Sequence, residues 1–132
     1  MTAVVDATVI VSALVDDSPV GRWAEELVGD RPLAAPHLMP VEAANLLRRA
    51  ALAGDVPDSI AALAHADLVA LPAELFPYEP FAARVWELRG AVTAYDGWYV
   101  ALAESLDAPL PTLDGRLTRA PGPRCRFLTP PS

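Results

Sequence analysis

Short apolar runs alternate with helix-length segments along this chain, and that rhythm limits the folds open to it more than any single motif does. Ala3 to Val5 reads as a short buried strand, Thr8 to Leu14 as a helix or helical turn after it, and Pro19 to Gly29 as a second helix closed by its glycine. Pro32 to Ala35 is the next strand. Pro40 suits the first turn of a helix running to about Ala53, with Gly54 as its stop. A helix from Pro57 to Asp67, a strand at Leu68 to Leu71 and a helix from Phe81 to Gly90 are expected to follow. Tyr95, Tyr99, Leu102 and Leu106 then fall at i, i+4, i+7 and i+11, which predicts one buried stripe on a helix. Pro109 to Leu113 and Cys125 to Leu128 complete the strands, and only the tail from Pro123 is expected to end in a frayed segment. Strands that alternate with helices predict an α/β fold whose mostly parallel sheet carries helices on both faces.

The chain has 132 residues, 53% hydrophobic and 20% charged, enough for one domain over 1-132 with one core. Its longest apolar stretches, such as Val9 to Val15, fall short of the ~18 residues that a membrane span needs, and Met1 to Asp6 lacks a basic segment of the signal-peptide kind. A soluble, cytoplasmic protein with no membrane partner is expected. The single cysteine, Cys125, has no internal partner for a disulfide and no second thiol for a zinc or redox motif, so it is expected in the core. The net charge of −7 argues against holding nucleic acid mainly by a basic surface, although it leaves a nucleic-acid substrate open. All basic residues are arginine. Without lysine the chain cannot build a Walker-type phosphate loop, a Schiff-base enzyme or a receiver domain, each of which needs that side chain.

Four acids share a position in this scheme. Asp6 follows the first strand, Glu42 opens the helix after the second, Asp96 opens the long helix, and Asp114 follows the Pro109 to Leu113 strand. In an open parallel sheet these strand ends lie on one edge, where ligands bind near the point at which strand order reverses. Each acid also has a plain structural duty available. Asp6 and Asp114 can cap helices, Thr93 and Asp96 have capping-box spacing, and Glu42 complements a helix dipole. Capping alone does not explain why acids recur at one edge. Two unit charges about 4 Å apart repel by about 4 kcal/mol at an effective dielectric near 20, a large fraction of a small domain's stability.

With no lysine to offset that repulsion, a divalent cation is the expected compensating charge. An all-oxygen site without a cysteine or histidine motif favours magnesium or manganese over zinc. Water on such an ion has a lowered pKa and can attack a phosphodiester while the metal stabilises the developing charge. Other readings fit less well. An aspartyl-nucleophile phosphatase needs a second aspartate two residues after the first, where this chain has Thr8, and a glycosidase pair leaves two of the four acids unused.

Four blocks carry a resemblance: ValValAspAlaThrValIle at 4 to 10, ProValGluAlaAlaAsnLeuLeuArgArg at 40 to 49, TyrAspGlyTrpTyrValAlaLeuAlaGlu at 95 to 104 and ThrLeuAspGlyArgLeu at 112 to 117. In this order they resemble the PIN-domain ribonucleases, specifically VapC-type toxins of bacterial toxin–antitoxin modules. The resemblance implies a single PIN-like (Rossmann-like) domain, a magnesium-dependent endoribonuclease acting on RNA, a cognate VapB-type antitoxin as partner, and a homodimer. Carried over residue by residue, it makes Asp6, Glu42, Asp96 and Asp114 the catalytic acids, with Asp6 and Asp96 as direct metal ligands and Glu42 and Asp114 acting through water. Thr8, Asn45 and Thr112 match positions that orient carboxylates and waters. Gly97 departs from the alanine commoner in the family and is expected to weaken the start of its helix by about 1 kcal/mol.

Arg116 and Arg119, just past Asp114, are candidates for holding RNA phosphate. His37 and His65 show no relay spacing and are read as structural, and Trp23, Phe76, Phe81 and Trp86 as core or interface anchors. Two competing functions remain at this stage: a PIN-like module that binds antitoxin or RNA without cutting, and a structure-specific DNA nuclease. The second lacks an evident arch or clamp for duplex DNA.

Overall fold

The structure is a computed structural model and describes residues 1–131; the expected fraying of the tail falls partly on Ser132, outside the described residues. Strand β1 is Ala3–Val4, followed by helices α1 (Ala7–Val15) and α2 (Pro19–Gly29), strand β2 (Leu33–Pro36), and helices α3 (Met39–Leu52) and α4 (Asp58–Ala70). Strand β3 (Ala73–Phe76) leads through a 3-10 turn at Glu79–Phe81 into α5 (Ala82–Glu87) and α6 (Ala94–Leu106). Strand β4 (Leu110–Pro111), helix α7 (Gly115–Arg119) and strand β5 (Phe127–Leu128) complete the chain.

Every strand pairing is parallel: β1 with β2, β2 with β3, and β4 with β5. The Val4 N–H donates to the Pro109 carbonyl at 3.0 Å and brings β4 beside β1. The strands therefore run in the order β3-β2-β1-β4-β5, and the order reverses between β1 and β4. Right-handed crossovers place α1 to α4 on one face of such a sheet and α5 and α6 on the other, and α6 packs across β1, β2 and β4. The core includes Val4, Ile10, Met39, Tyr99, Leu102 and Leu110, all essentially inaccessible to solvent. Close crossing of α1 and α2 requires Gly21, where a Cβ would lie 1.6 Å from the Asp16 carbonyl oxygen.

Several expectations are corrected in detail. Leu68 to Leu71 is the end of α4 and not a strand: Leu68 and Ala64, one turn apart, are both buried, and Pro72 forces the exit into β3. Gly29 is the last residue of α2, with Asp30 as its C-cap, so it does not close the helix from outside. Gly54, at φ 79°, does form the left-handed turn after α3. The Tyr95 to Leu106 stripe is buried only at its centre, with Tyr95 62% and Leu106 39% exposed. Trp86, far from being a core residue, is exposed beneath the Arg89 guanidinium. Cys125 is half-buried at the margin of the core, where burial and Glu104 push its thiol up to about 11. Among the described residues no helix is long and apolar enough to cross a membrane.

Candidate active site

Residues just beyond β1 and β4 flank the point where strand order reverses, so side chains there face a crevice by topology alone. Asp6 leaves β1 and caps α1, its Oδ1 accepting the Val9 N–H at 3.1 Å. The same oxygen accepts the Thr8 hydroxyl at 2.6 Å, and Oδ2 accepts the Thr112 hydroxyl at 2.5 Å. Thr112 is fully buried, and its hydroxyl oxygen also accepts the Asp114 N–H at 3.1 Å. One threonine thus ties together the acids that follow the two central strands. Asp114 in turn caps α7, with Oδ1 accepting the Arg116 and Leu117 N–H groups at 2.9 and 3.3 Å.

The other two acids arrive on helices from opposite faces of the sheet. Glu42 lies in the first turn of α3, and its Oε1 accepts the Tyr99 phenol at 2.7 Å. Asp96 lies in the first turn of α6, which Thr93 caps by accepting the Asp96 N–H at 3.1 Å. Asp6, Glu42, Asp96 and Asp114 together line one cleft of about 220 Å³, with Thr8, Asn45, Arg49 and Tyr99. The four acids are brought together, and two of them also cap helices.

Burial pushes the Asp6 carboxyl above its ordinary range, opposed by the hydrogen bonds from Thr112, Thr8 and Val9. Glu42 is raised by burial and by Asp96 and Asp6, with the Tyr99 phenol opposing. Asp96 is raised by burial and by Asp114 and Asp6, with relief from Thr93 and Arg116. Burial leads in all three and neighbouring acids add to it at Glu42 and Asp96, in a cluster that forms no ion pair among the described residues. Its donors are all oxygen, the set that suits a hard divalent cation. Among the described residues no three His, Cys, Asp or Glu side chains converge closely enough to hold an ion between them. The cleft therefore fits an ion that takes one or two carboxylates directly and completes its shell with water, as magnesium does.

Of the proposed phosphate-binding residues, Arg116 borders a second depression that shares Asp96 and Asp114 with the cleft. Arg119 folds back toward Gly115 and lines neither space. His37 and His65 are exposed and lie outside the cleft. Two polar lining residues, Tyr99 and Arg49, were not singled out from sequence as site residues. Their signal was spacing: Tyr99 stands one turn after Asp96 on α6, and Arg49 one turn after Asn45 on α3.

A family model described as PIN domain matches residues 3–123. The chain is 39% identical over 125 residues to Ribonuclease VapC1 of Mycobacterium tuberculosis, covering 94% of each chain. It is 33% identical over 119 residues to Ribonuclease VapC12 of the same organism, covering 90% of this chain and 92% of that one. Among solved structures, VapBC2 from Rickettsia felis, bound to a promoter DNA fragment, shares the fold with a TM-score of 0.68 at 14% identity, covering 99% of this chain and 100% of that one.

Proposed function

The chain belongs to the PIN-domain family, among its VapC-type ribonucleases, and on that premise we propose that it is the toxin of a toxin–antitoxin pair that hydrolyses RNA phosphodiesters with magnesium or manganese at the four-carboxylate cleft. The observation that carries this reading is the convergence of Asp6, Glu42, Asp96 and Asp114 on one cleft at the point where the strand order reverses.

Asp6 and Asp96 would hold the ion directly. Thr8 and Thr112 fix both oxygens of Asp6, so its remaining lone pairs keep one direction, and Thr112 sets Asp114 relative to it. Glu42, anchored through one oxygen by Tyr99, presents the other to a water, and Asn45 on the same face of α3 orients that water. The chemistry that magnesium would supply there, when bound, is a water of lowered pKa and positive charge against the phosphate. Asp114 acts through water, and Arg116 holds phosphate at the adjoining depression. The cognate partner is a VapB-type antitoxin, a reading supported by the fold shared with VapBC2, and the toxin works as a homodimer.

Incubating the purified protein with structured RNA, with and without magnesium, tests the reading. Cleavage should require the metal, disappear in Asp6→Ala and spare a matched DNA hairpin. No cleavage under several metals, or unchanged cleavage by Asp6→Ala, would defeat it in favour of a binding module. Magnesium at ~100 times its dissociation constant should also stabilise the fold by roughly 2.7 kcal/mol.

A further inference from the structure

We propose that Arg49 binds a phosphate of the RNA strand on the α3 wall of the acidic cleft, so that the strand crosses the carboxylates between Arg49 and Arg116. This rests on the ribonuclease reading and adds to it the path of the substrate. Glu42, Asn45 and Arg49 recur at helical spacing on one face of α3, and all three line the cleft. Among the described residues Arg49 is the one basic residue that lines it. Past Asp96 and Asp114 the cleft continues into the depression of about 250 Å³ that Arg116 lines. A chain of phosphates laid along these two spaces meets a guanidinium, the acids, and a second guanidinium in turn.

Among the described residues Arg49 and Arg116 enter no ion pair and line these acidic spaces, whereas Arg48, Arg119, Arg124 and Arg126, also outside any ion pair, line neither. Arg84 is committed to Glu104, Arg31 pairs with Asp30, Arg22 donates to the Asp17 carbonyl, and Arg89 lies over Trp86. Among the described residues the exposed Arg49 guanidinium enters no ion pair. An arginine held at the rim of an anionic cleft, unpaired and with its planar fork available, suits a phosphate that enters beside the metal.

The test compares wild type, Arg49→Gln and Arg49→Lys with a single-stranded RNA, reading binding by fluorescence anisotropy and cleavage by steady-state kinetics across a range of salt. Arg49→Gln should weaken binding and raise KM about tenfold with kcat little changed. Its plot of log affinity against log salt should be shallower by about 0.7, the loss of one phosphate contact on a single strand. Arg49→Lys should restore the slope, and the magnesium-induced rise in melting temperature should be the same in all three proteins. An unchanged salt slope in Arg49→Gln, or a loss confined to kcat, would overturn the assignment. Wild-type protein that binds RNA without cutting it, with the same loss in Arg49→Gln, would uphold Arg49 while overturning the nuclease reading. Protein that neither binds nor cuts would overturn both.

Discussion

Helix α6 carries two acids about two turns apart whose environments have opposite effects. Asp96, in the first turn, is raised by burial and by its acidic neighbours. Glu104, near the other end, is brought down despite its burial by Arg84 and the Arg124 N–H. The Arg84 guanidinium grips both Glu104 oxygens at 2.7 and 3.1 Å and donates to the Gly122 carbonyl at 2.8 Å, so the pair pins the C-terminal segment to α5 and α6. The same chain thus pairs an arginine with the carboxylate that serves the fold, whereas among the described residues none of the four carboxylates that meet in the cleft enters an ion pair. Unpaired acids cost stability, and their retention at the sheet edge is what a cation-dependent site requires.

Paired isosteric substitutions should break this comparison most sharply. Asp96→Asn should lower metal-dependent RNA cleavage by about a hundredfold or more, since a metal ligand supports several kcal/mol of charge stabilisation. The metal-free variant should melt no lower than wild type, because a mutual repulsion is removed. Glu104→Gln should do the reverse, losing about 1.5 kcal/mol of stability in denaturant titration as Arg84 loses its charged partner, with cleavage unchanged below the melting transition. If both variants lose stability alike, the division between a structural and a functional end of α6 is wrong.

Tyr99→Phe asks where the boundary between the two roles falls. The ring is buried in the core, but its hydroxyl reaches Glu42, so one side chain belongs to both. Removing only the oxygen should leave stability within about 1 kcal/mol and reduce cleavage or magnesium affinity about tenfold, the usual lower cost of losing a group that orients an acid beside a metal. Magnesium affinity read from the melting-temperature shift separates this from a general loss of fold. Unchanged affinity together with unchanged cleavage would make the bond incidental.

The acids were legible in the sequence because each stands at the start of a helix, Asp6 and Asp114 as N-caps and Glu42 and Asp96 in first turns, and helix starts depend on local pattern. Thr8 and Thr112 were reached through resemblance, and their place on the two Asp6 oxygens required the β1–β4 pairing, which joins residues far apart in sequence. Tyr99 looked like one more apolar stripe position, since periodicity reports that a ring is buried and is silent on where its hydroxyl ends. The β3 strand was placed too early because LeuValAlaLeu satisfies a buried strand and a helix end equally well over so short a run. Pro72 settles it, and only once the burial of Ala64 and Leu68 on one helix face is known. The Arg84–Glu104 pair was invisible for the same reason as Thr112: its partners are distant in sequence and share no periodic pattern.

The smallest effect, and the most direct reading of the opposed environments, lies in the pH dependence of the metal-free protein. Asp6 and Asp96 are raised from 3.8 and Glu42 from 4.5, so what their neutral forms contribute is complete below those values and lost as pH rises through the elevated ones. Glu104 is lowered from 4.5, so its contribution is complete above that value and lost as pH falls through the depressed one. Without metal, the cluster should therefore lower the melting temperature as pH rises from about 4.5 toward neutrality, and the Glu104 pair should lower it as pH falls below that range. Both limbs should be shallow, because solvent screens the partly exposed members. Asp96→Asn should flatten the upper limb alone and Glu104→Gln the lower limb alone, while saturating magnesium should cancel the upper limb and leave the lower one in place. An upper limb that survives both Asp96→Asn and magnesium would assign it to groups outside the cleft and remove the electrostatic reason for placing a cation there.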